Sequence, residues 1–343
     1  MAAVARKAEN RMAAIDGLRA IAVLMVVAFH FLGRYPNDYT GLSLAPIFTF
    51  GWLGVDLFFI ISGYCIAMTA SRTPDLASFW GRRFGRIYPA FAVGCMVSWA
   101  LTSYFGLPEK EVSGLQALGN LLFLNAVFVP PVDGVYWSLI VELQFYMLYG
   151  LILCIDRRPF AIMTGLSVLF ALAMGLQYAD NPAISRIMKP QYIILFLIGA
   201  ALFFGHATEK RFYYLWAACG FAASFTTGYY DAVIPYAAAT LGLGCLVVAS
   251  RKLPILDRLW PVGLVSYSWY LLHQNIGLLI IRSLTAEGVS NGAAIAAAVV
   301  GTFILALGLY VLCENRYVRK VANRFFAWLF ALLQFNRLAK SAT

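Results

Sequence analysis

Charge is what this chain has least of. Only 12% of its 343 residues are Asp, Glu, Lys or Arg, where an ordinary soluble domain carries about a quarter. Hydrophobic residues make up 62%, and the mean hydropathy is +0.76. These values exclude a pair of soluble domains. They give one integral-membrane domain over residues 1–343, with lipid as its solvent. Other absences narrow the chemistry. The six cysteines, Cys65, Cys95, Cys154, Cys219, Cys245 and Cys313, form no CxxC pair, and no His/Cys cluster has zinc spacing. No metal is therefore expected, and the thiols read as small apolar side chains. There is no Walker A loop and no GxGxxG ahead of a helix, so nucleotide-driven pumping has no support. No repeat or low-complexity tract is present. The net charge is +10, yet no long basic tract interleaves with aromatics, which excludes nucleic acid as a partner.

Apolar runs are what the chain has in abundance. A span needs about 20 mostly apolar residues. Ten candidates occur, near 14–33, 47–70, 87–105, 134–155, 160–177, 190–205, 212–229, 232–250, 262–284 and 292–314. The stretch 115–129 is shorter and ends at Pro130-Pro131, so it reads as a re-entrant or interfacial helix. Ten spans place both termini on one side. Alternation then puts 21 of the 26 lysines and arginines on that side, leaving Arg34, Lys110, Arg186, Lys189 and Arg282 for the other. The basic side includes Arg6, Lys7, Arg11, Arg251, Lys252, Arg337 and Lys340, and by the positive-inside rule it is cytoplasmic. The first apolar run carries Asp16 and Arg19 and lacks a cleavage site, so it reads as a retained helix rather than a signal peptide. Segment 315–338 sets Arg316, Arg319, Lys320 and Arg324 beside Phe325, Phe326, Trp328 and Leu329, the composition of an amphipathic surface helix. The expected fold is all-α, with about ten transmembrane helices and both termini in the cytoplasm.

Ionisable side chains inside spans are costly and mark pathways or reactions. Arg19 and His30 lie eleven residues apart on the first span. Helical geometry returns them to nearly one face, separated by roughly 16 Å. Arg19 then snorkels to headgroups or faces a cavity. His30 makes a bundle hydrogen bond or serves near neutral pH as a general base or acyl acceptor. Glu142, in Tyr136-Trp137-Ser138-Leu139-Ile140-Val141-Glu142, must pair or protonate. It orients an imidazole, accepts a hydroxyl proton, binds sugar hydroxyls beside Trp137 and Tyr136, or forms a structural ion pair. Arg82, Arg83 and Arg86 are a topology signal or a phosphate clamp built from planar forks. His273, mid-span among Ser266, Tyr267, Ser268 and Tyr270, is functional or a packing bond. Asp56 is interfacial or lines the same cavity, and His206 reads as solvated.

These segments together resemble the membrane acyltransferase-3 family, the sugar O-acyltransferases. The resemblance rests on Ile15-Asp16-Gly17-Leu18-Arg19 with His30, Gly54-Val55-Asp56-Leu57-Phe58-Phe59 through Tyr64, Arg82-Arg83-Phe84-Gly85-Arg86-Ile87-Tyr88-Pro89 read as a loop, the Trp137–Glu142 segment, and Ser266-Tyr267-Ser268-Trp269-Tyr270-Leu271-Leu272-His273. It implies a fold of about ten helices in the bacterial inner membrane and a cytoplasmic acyl-CoA donor, acetyl-CoA by family habit. It also implies a glycan or lipid-linked sugar acceptor, nearest in kind to exopolysaccharide O-acetyltransferases that carry no appended esterase-like domain. The expected catalytic residues are His30, Glu142 and Arg19, with Arg82, Arg83 and Arg86 on coenzyme A phosphates. Asp56, Trp137, Tyr136 and His273 support substrate binding. A transporter or flippase of a lipid-linked glycan is the rival class, although no paired, interrupted helices of an inverted repeat occur.

Overall fold

The computed structural model describes residues 2–34, 45–107, 110–126, 128–178, 189–250, 256 and 258–340. Among the described residues no strand occurs. Helix α1 (Ala2–Ala28) continues as one π-helical stretch, Phe29–Arg34. After it come α2 (Leu53–Ala70), α3 (Leu76–Phe105), α4 (Gly114–Leu121), α5 (Trp137–Ile155) and α6 (Pro159–Tyr178). Then follow α7 (Pro190–Thr208), α8 (Phe212–Ser224), α9 (Ile234–Ser250), α10 (Trp260–Ala286), α11 (Asn291–Cys313) and α12 (Arg316–Lys340).

Among the described residues seven helices are long and apolar enough to cross a membrane, where ten spans were expected. The other three fail for different reasons. Helix α8 has 13 residues and tightens into a 3-10 turn, Phe225–Thr227, that ends where Gly228 turns left-handed at φ 72°, so 212–229 is not one continuous α-helix. Helix α9 has 17 residues. Helix α10 has 27, but Ser266, Ser268, His273, Gln274 and Asn275 dilute its apolar surface. The cluster Arg82, Arg83 and Arg86 also departs from expectation. It lies in the first turns of the 30-residue α3, with Pro89 inside the helix, not in a loop. The segment 115–129 is α-helical only to Leu121, because Phe123 takes φ 58° and ends it, and a 3-10 turn follows at Leu124–Ala126. A capping box between Ser113 and Gln116 sets its start. Of the residues in the charge tally, Arg186, Arg251 and Lys252 lie outside the described residues.

The chain divides into two compact units. The first comprises residues 1–19, 55–80 and 141–260. Its core joins α2 to α7 through two glycines. A Cβ on Gly63 would strike the backbone of Phe196, and one on Gly199 the carbonyl of Ile60. Only backbone against backbone permits this approach. Phe145 stacks on Phe196 at 4.1 Å beside that crossing. The Arg157 guanidinium covers the end of α2 and the turn after it, donating to Ala70 at 3.3 Å and Thr73 at 2.7 Å. His206, expected to be solvated, lies inside α7 and is held at both nitrogens. Nδ1 meets the Tyr64 hydroxyl at 3.2 Å and Nε2 meets the Ala249 carbonyl at 3.1 Å, a cross-link of α2, α7 and α9.

The second unit comprises residues 20–54, 81–140 and 261–343. Here α12 docks on the start of α3. Cβ atoms on Gly81 or Gly85 would collide with Ala327 and Asn323, and Phe84 packs on Phe326 and Phe330. The outer face of α12 leaves Tyr317, Val321, Phe325 and Trp328 exposed in one stripe beside Arg316, Lys320 and Arg324. Helix α10 is fixed to α11 by Trp269 Nε1 donating to Thr302 at 3.0 Å, and to the following turn by Ser268 donating to Glu314 at 2.7 Å.

Candidate active site

Two histidines meet in the second unit. His30 sits in the π-helical turn that ends α1, a widened turn of the kind found at functional positions. His273 sits midway along α10, fully buried. Their approach depends on Gly277, one turn beyond His273. The Phe31 ring occupies the place a Cβ there would take. With that notch, His30 Nδ1 comes within 3.1 Å of His273 Nε2, ring centroids 5.0 Å apart.

The partners of the pair fix its protons. His273 Nδ1 lies 2.8 Å from the Tyr270 carbonyl and 3.2 Å from that of Trp269. Carbonyls only accept, so Nδ1 carries the hydrogen and Nε2 a lone pair. His30 Nδ1 lies 2.9 Å from the Val26 carbonyl, so it too carries a hydrogen. That hydrogen is shared between Val26 and the His273 lone pair. A proton on His273 Nε2 would face the His30 N–H, so the pair holds together only while the His273 ring is neutral. His30 Nε2 is left as the nitrogen with an available lone pair, the form needed of a base or nucleophile.

The segment just before α5 reinforces this turn of α10. Tyr136 is buried, and its hydroxyl donates to the Leu271 carbonyl at 3.3 Å. Ser138 Oγ and the Tyr270 hydroxyl lie 2.7 Å apart. Tyr136 is thus tied to α10 through its hydroxyl. Trp137 keeps 39% of its surface exposed.

The acids expected beside these imidazoles have other partners. Glu142, in the first unit and half-buried, accepts from Ser62 at 2.8 Å and from Tyr146 at 2.7 Å. The imidazole of His30 meets that of His273. Asp56 is buried in the first unit, and its Oδ2 accepts from Tyr230 at 2.9 Å. Arg19 pairs with Asp16 one turn back at 3.5 Å. The arginines of α3 diverge: Arg82 is exposed, Arg83 is buried and Arg86 half-buried. Helical placement explains this, since positions 82 and 83 are about 100° apart around the axis. Among the described residues no group of His, Cys, Asp and Glu is arranged to hold a metal ion.

Residues that sequence reasoning passed over also reach this turn. Asp133 and Asn275 bond one another across 142 positions of sequence. The available signal was an acid directly before Gly134 at the edge of an apolar run, the Asx-type start of a helix.

Comparison with known proteins adds an independent line. The sequence profile of a family described as the acyltransferase domain matches residues 12–311. The peptidoglycan O-acetyltransferase OatA of Listeria monocytogenes is 28% identical over 200 residues, covering 50% of this chain and 30% of that protein. Acyltransferase MdmB of Streptomyces mycarofaciens is 29% identical over 152 residues, 41% of this chain and 39% of that one. O-acetyltransferase OatA of Staphylococcus aureus is 28% identical over 184 residues, 47% and 28% of the two chains. The matched stretches thus span well under half the length of these relatives. No solved structure matches.

Proposed function

The chain belongs to the membrane acyltransferase-3 family, and from that premise we propose that it is an O-acetyltransferase of the bacterial inner membrane. It takes the acetyl group from cytoplasmic acetyl-CoA and places it on a hydroxyl of an exported glycan or lipid-linked sugar, exopolysaccharide being the acceptor class. The observation that carries this reading is the His30–His273 contact at 3.1 Å, which leaves His30 Nε2 as the reactive nitrogen.

In this mechanism His30 Nε2 removes the acceptor hydroxyl proton as the oxygen attacks the thioester carbonyl. A C–O bond forms and the C–S bond breaks. The imidazolium returns its proton to the leaving thiolate, giving ester and free coenzyme A. His273 stabilises that imidazolium by accepting the Nδ1 hydrogen. A thioester is already activated, so a positioned base suffices. Arg82 and Arg86 reach coenzyme A phosphates more readily than the buried Arg83. Arg19 is assigned to the donor, and Glu142, Asp56 and Trp137 to the acceptor.

The test uses purified full-length protein with acetyl-CoA and a soluble glycan acceptor, and mass spectrometry of surface glycans from a deletion strain. Loss of acetyl groups in the deletion strain, restored by wild type but not by His30→Ala, is the expected outcome. Full restoration by an accumulated, membrane-inserted His30→Ala protein would overturn the chemistry. An acetyl group trapped on His30 would redirect it to a covalent acyl-imidazole route.

A further inference from the structure

We propose that Asp133 is a positioning residue for the His30–His273 pair. Together with Tyr136 it clamps both ends of the helical rung that encloses His273. The inference rests on the histidine mechanism above.

In an α-helix the N–H of residue 275 faces the carbonyl of residue 271, and His273 lies at the midpoint of that rung. Side chains from residues 130–138 engage both ends. Asn275 N donates to Asp133 Oδ2 at 3.0 Å, and the Leu271 carbonyl accepts from Tyr136 at 3.3 Å. Groups inserted into a helical ladder in this way set its local bend and the direction of nearby side chains.

Asp133 is fully buried, and each of its oxygens is used. Oδ1 accepts from Val135 N at 3.1 Å, capping the turn that leads into α5, while Oδ2 takes the α10 amide. Asn275 answers with its own side chain, Nδ2 donating to the Val132 carbonyl at 2.8 Å. Gly134 makes the approach close, since a Cβ there would lie 2.9 Å from Gln274 Nε2. The segment is itself pinned from α4. Asn120 Nδ2 donates to the Pro130 carbonyl at 2.9 Å, and Asn120 Oδ1 accepts from Val132 N at 2.9 Å.

The consequence reaches the imidazoles through one residue. The Tyr270 carbonyl holds the His273 Nδ1 hydrogen, and the Tyr270 hydroxyl donates to the Val135 carbonyl at 3.0 Å. The same segment therefore holds the acceptor that fixes the His273 tautomer and the rung that fixes its height. Both partners of Asp133 are N–H donors. An amide at position 133 offers one oxygen and turns an NH2 group toward the second donor, so Asn is no silent replacement.

The experiment compares wild type with Asp133→Asn, Asn275→Ala, His30→Ala and His273→Ala, each purified full length in detergent and checked for monodispersity. Readouts are kcat and KM for acetyl-CoA, the pH profile of kcat, and the rate at which diethyl pyrocarbonate modifies His30. Asp133→Asn is expected to lower kcat about 10- to 100-fold with KM unchanged, to move the pH profile, and to change the His30 modification rate. Asn275→Ala, which keeps the Asp133 carboxylate, should give a smaller change of the same kind and serves if Asp133→Asn does not accumulate. Unchanged kcat and pH profile in whichever of the two folds would overturn the proposal. Full activity in His30→Ala and His273→Ala would sink the underlying mechanism instead, whereas inactive histidine variants beside a fully active Asp133→Asn would sink this inference alone.

Discussion

The two units surround the acids of one and the histidines of the other with opposite company. In the first, Glu142 and Asp56 are met by hydroxyls, from Ser62, Tyr146 and Tyr230. In the second, His30 and His273 are met by main-chain carbonyls and by each other. A hydroxyl rotates, donating to a carboxylate or accepting from a carboxylic acid, so it leaves the acid's proton undecided. A carbonyl only accepts, so it dictates where the imidazole hydrogen sits. The first environment suits a group that meets variable hydroxyl ligands. The second suits a base that must present the same nitrogen every turnover.

The sharpest way to break this contrast is to remove the acceptor from the second unit. His273→Ala leaves the His30 Nδ1 hydrogen with Val26 alone and removes the group that stabilises the imidazolium. A fall in kcat of about 100-fold or more is expected, the scale of a lost acid–base partner. His273→Gln offers an amide oxygen as acceptor and should recover part of that loss. Equal activity in wild type and both variants would show that His30 works alone.

The next effect comes from the notch that lets the rings meet. Gly277→Ala forces a methyl group against the Phe31 ring, an overpacking that costs about 1–3 kcal/mol. Because Phe31 adjoins His30, the displacement should separate the imidazoles and lower kcat about tenfold. Gly63→Ala places the same strain in the first unit, against the Phe196 backbone. It should lower the melting temperature with little change in kcat per folded molecule. If both glycine variants lose activity in proportion to folded protein, the notch at Gly277 is structural only.

A smaller effect is expected from Glu142→Gln. The amide oxygen still accepts from Ser62 and Tyr146, so the net loss should be that of one charge-assisted bond, a fall of about tenfold or less in kcat/KM for the acceptor. A loss in kcat matching that of His273→Ala would give the first unit a share in the chemistry and erase the distinction drawn here.

How much of this was readable beforehand follows from which interactions are local. The apolar runs and their caps are local, so every expected span contains a helix, although three helices are too short or too polar to meet the criteria for crossing. His30 and His273 were visible as costly polar groups in apolar runs, but their contact joins positions 243 apart and has no periodicity to betray it. The arginine cluster reads as a loop because it lies between the apolar runs 47–70 and 87–105. In the structure Gly81 and Gly85 form a packing face for α12 instead. Glu142 was legible as an acid within an apolar run, yet its hydroxyl partners come from Ser62 on another helix and Tyr146 one turn on. Asp133 escaped because nothing local distinguishes a helix cap from a cap that also grips α10.

The smallest effect is on stability, and it sharpens the comparison from the side of a carboxyl that meets only N–H donors. Burial pushes the Asp133 carboxyl up to about 7, and the hydrogen bonds from Val135 and Asn275 offset this only in part. A raised value means that the folded protein holds a proton the unfolded chain has released. Its contribution is complete below the ordinary carboxylate value, about 4, and is lost as pH rises towards 7. The melting temperature of the wild type should therefore fall between pH 5 and 7 by more than that of Asp133→Asn, which has no proton to release there. Thermal unfolding of both proteins in one detergent, across that range, gives the difference directly. Parallel curves would mean that the carboxyl is ionised throughout, and that the two N–H donors outweigh its burial.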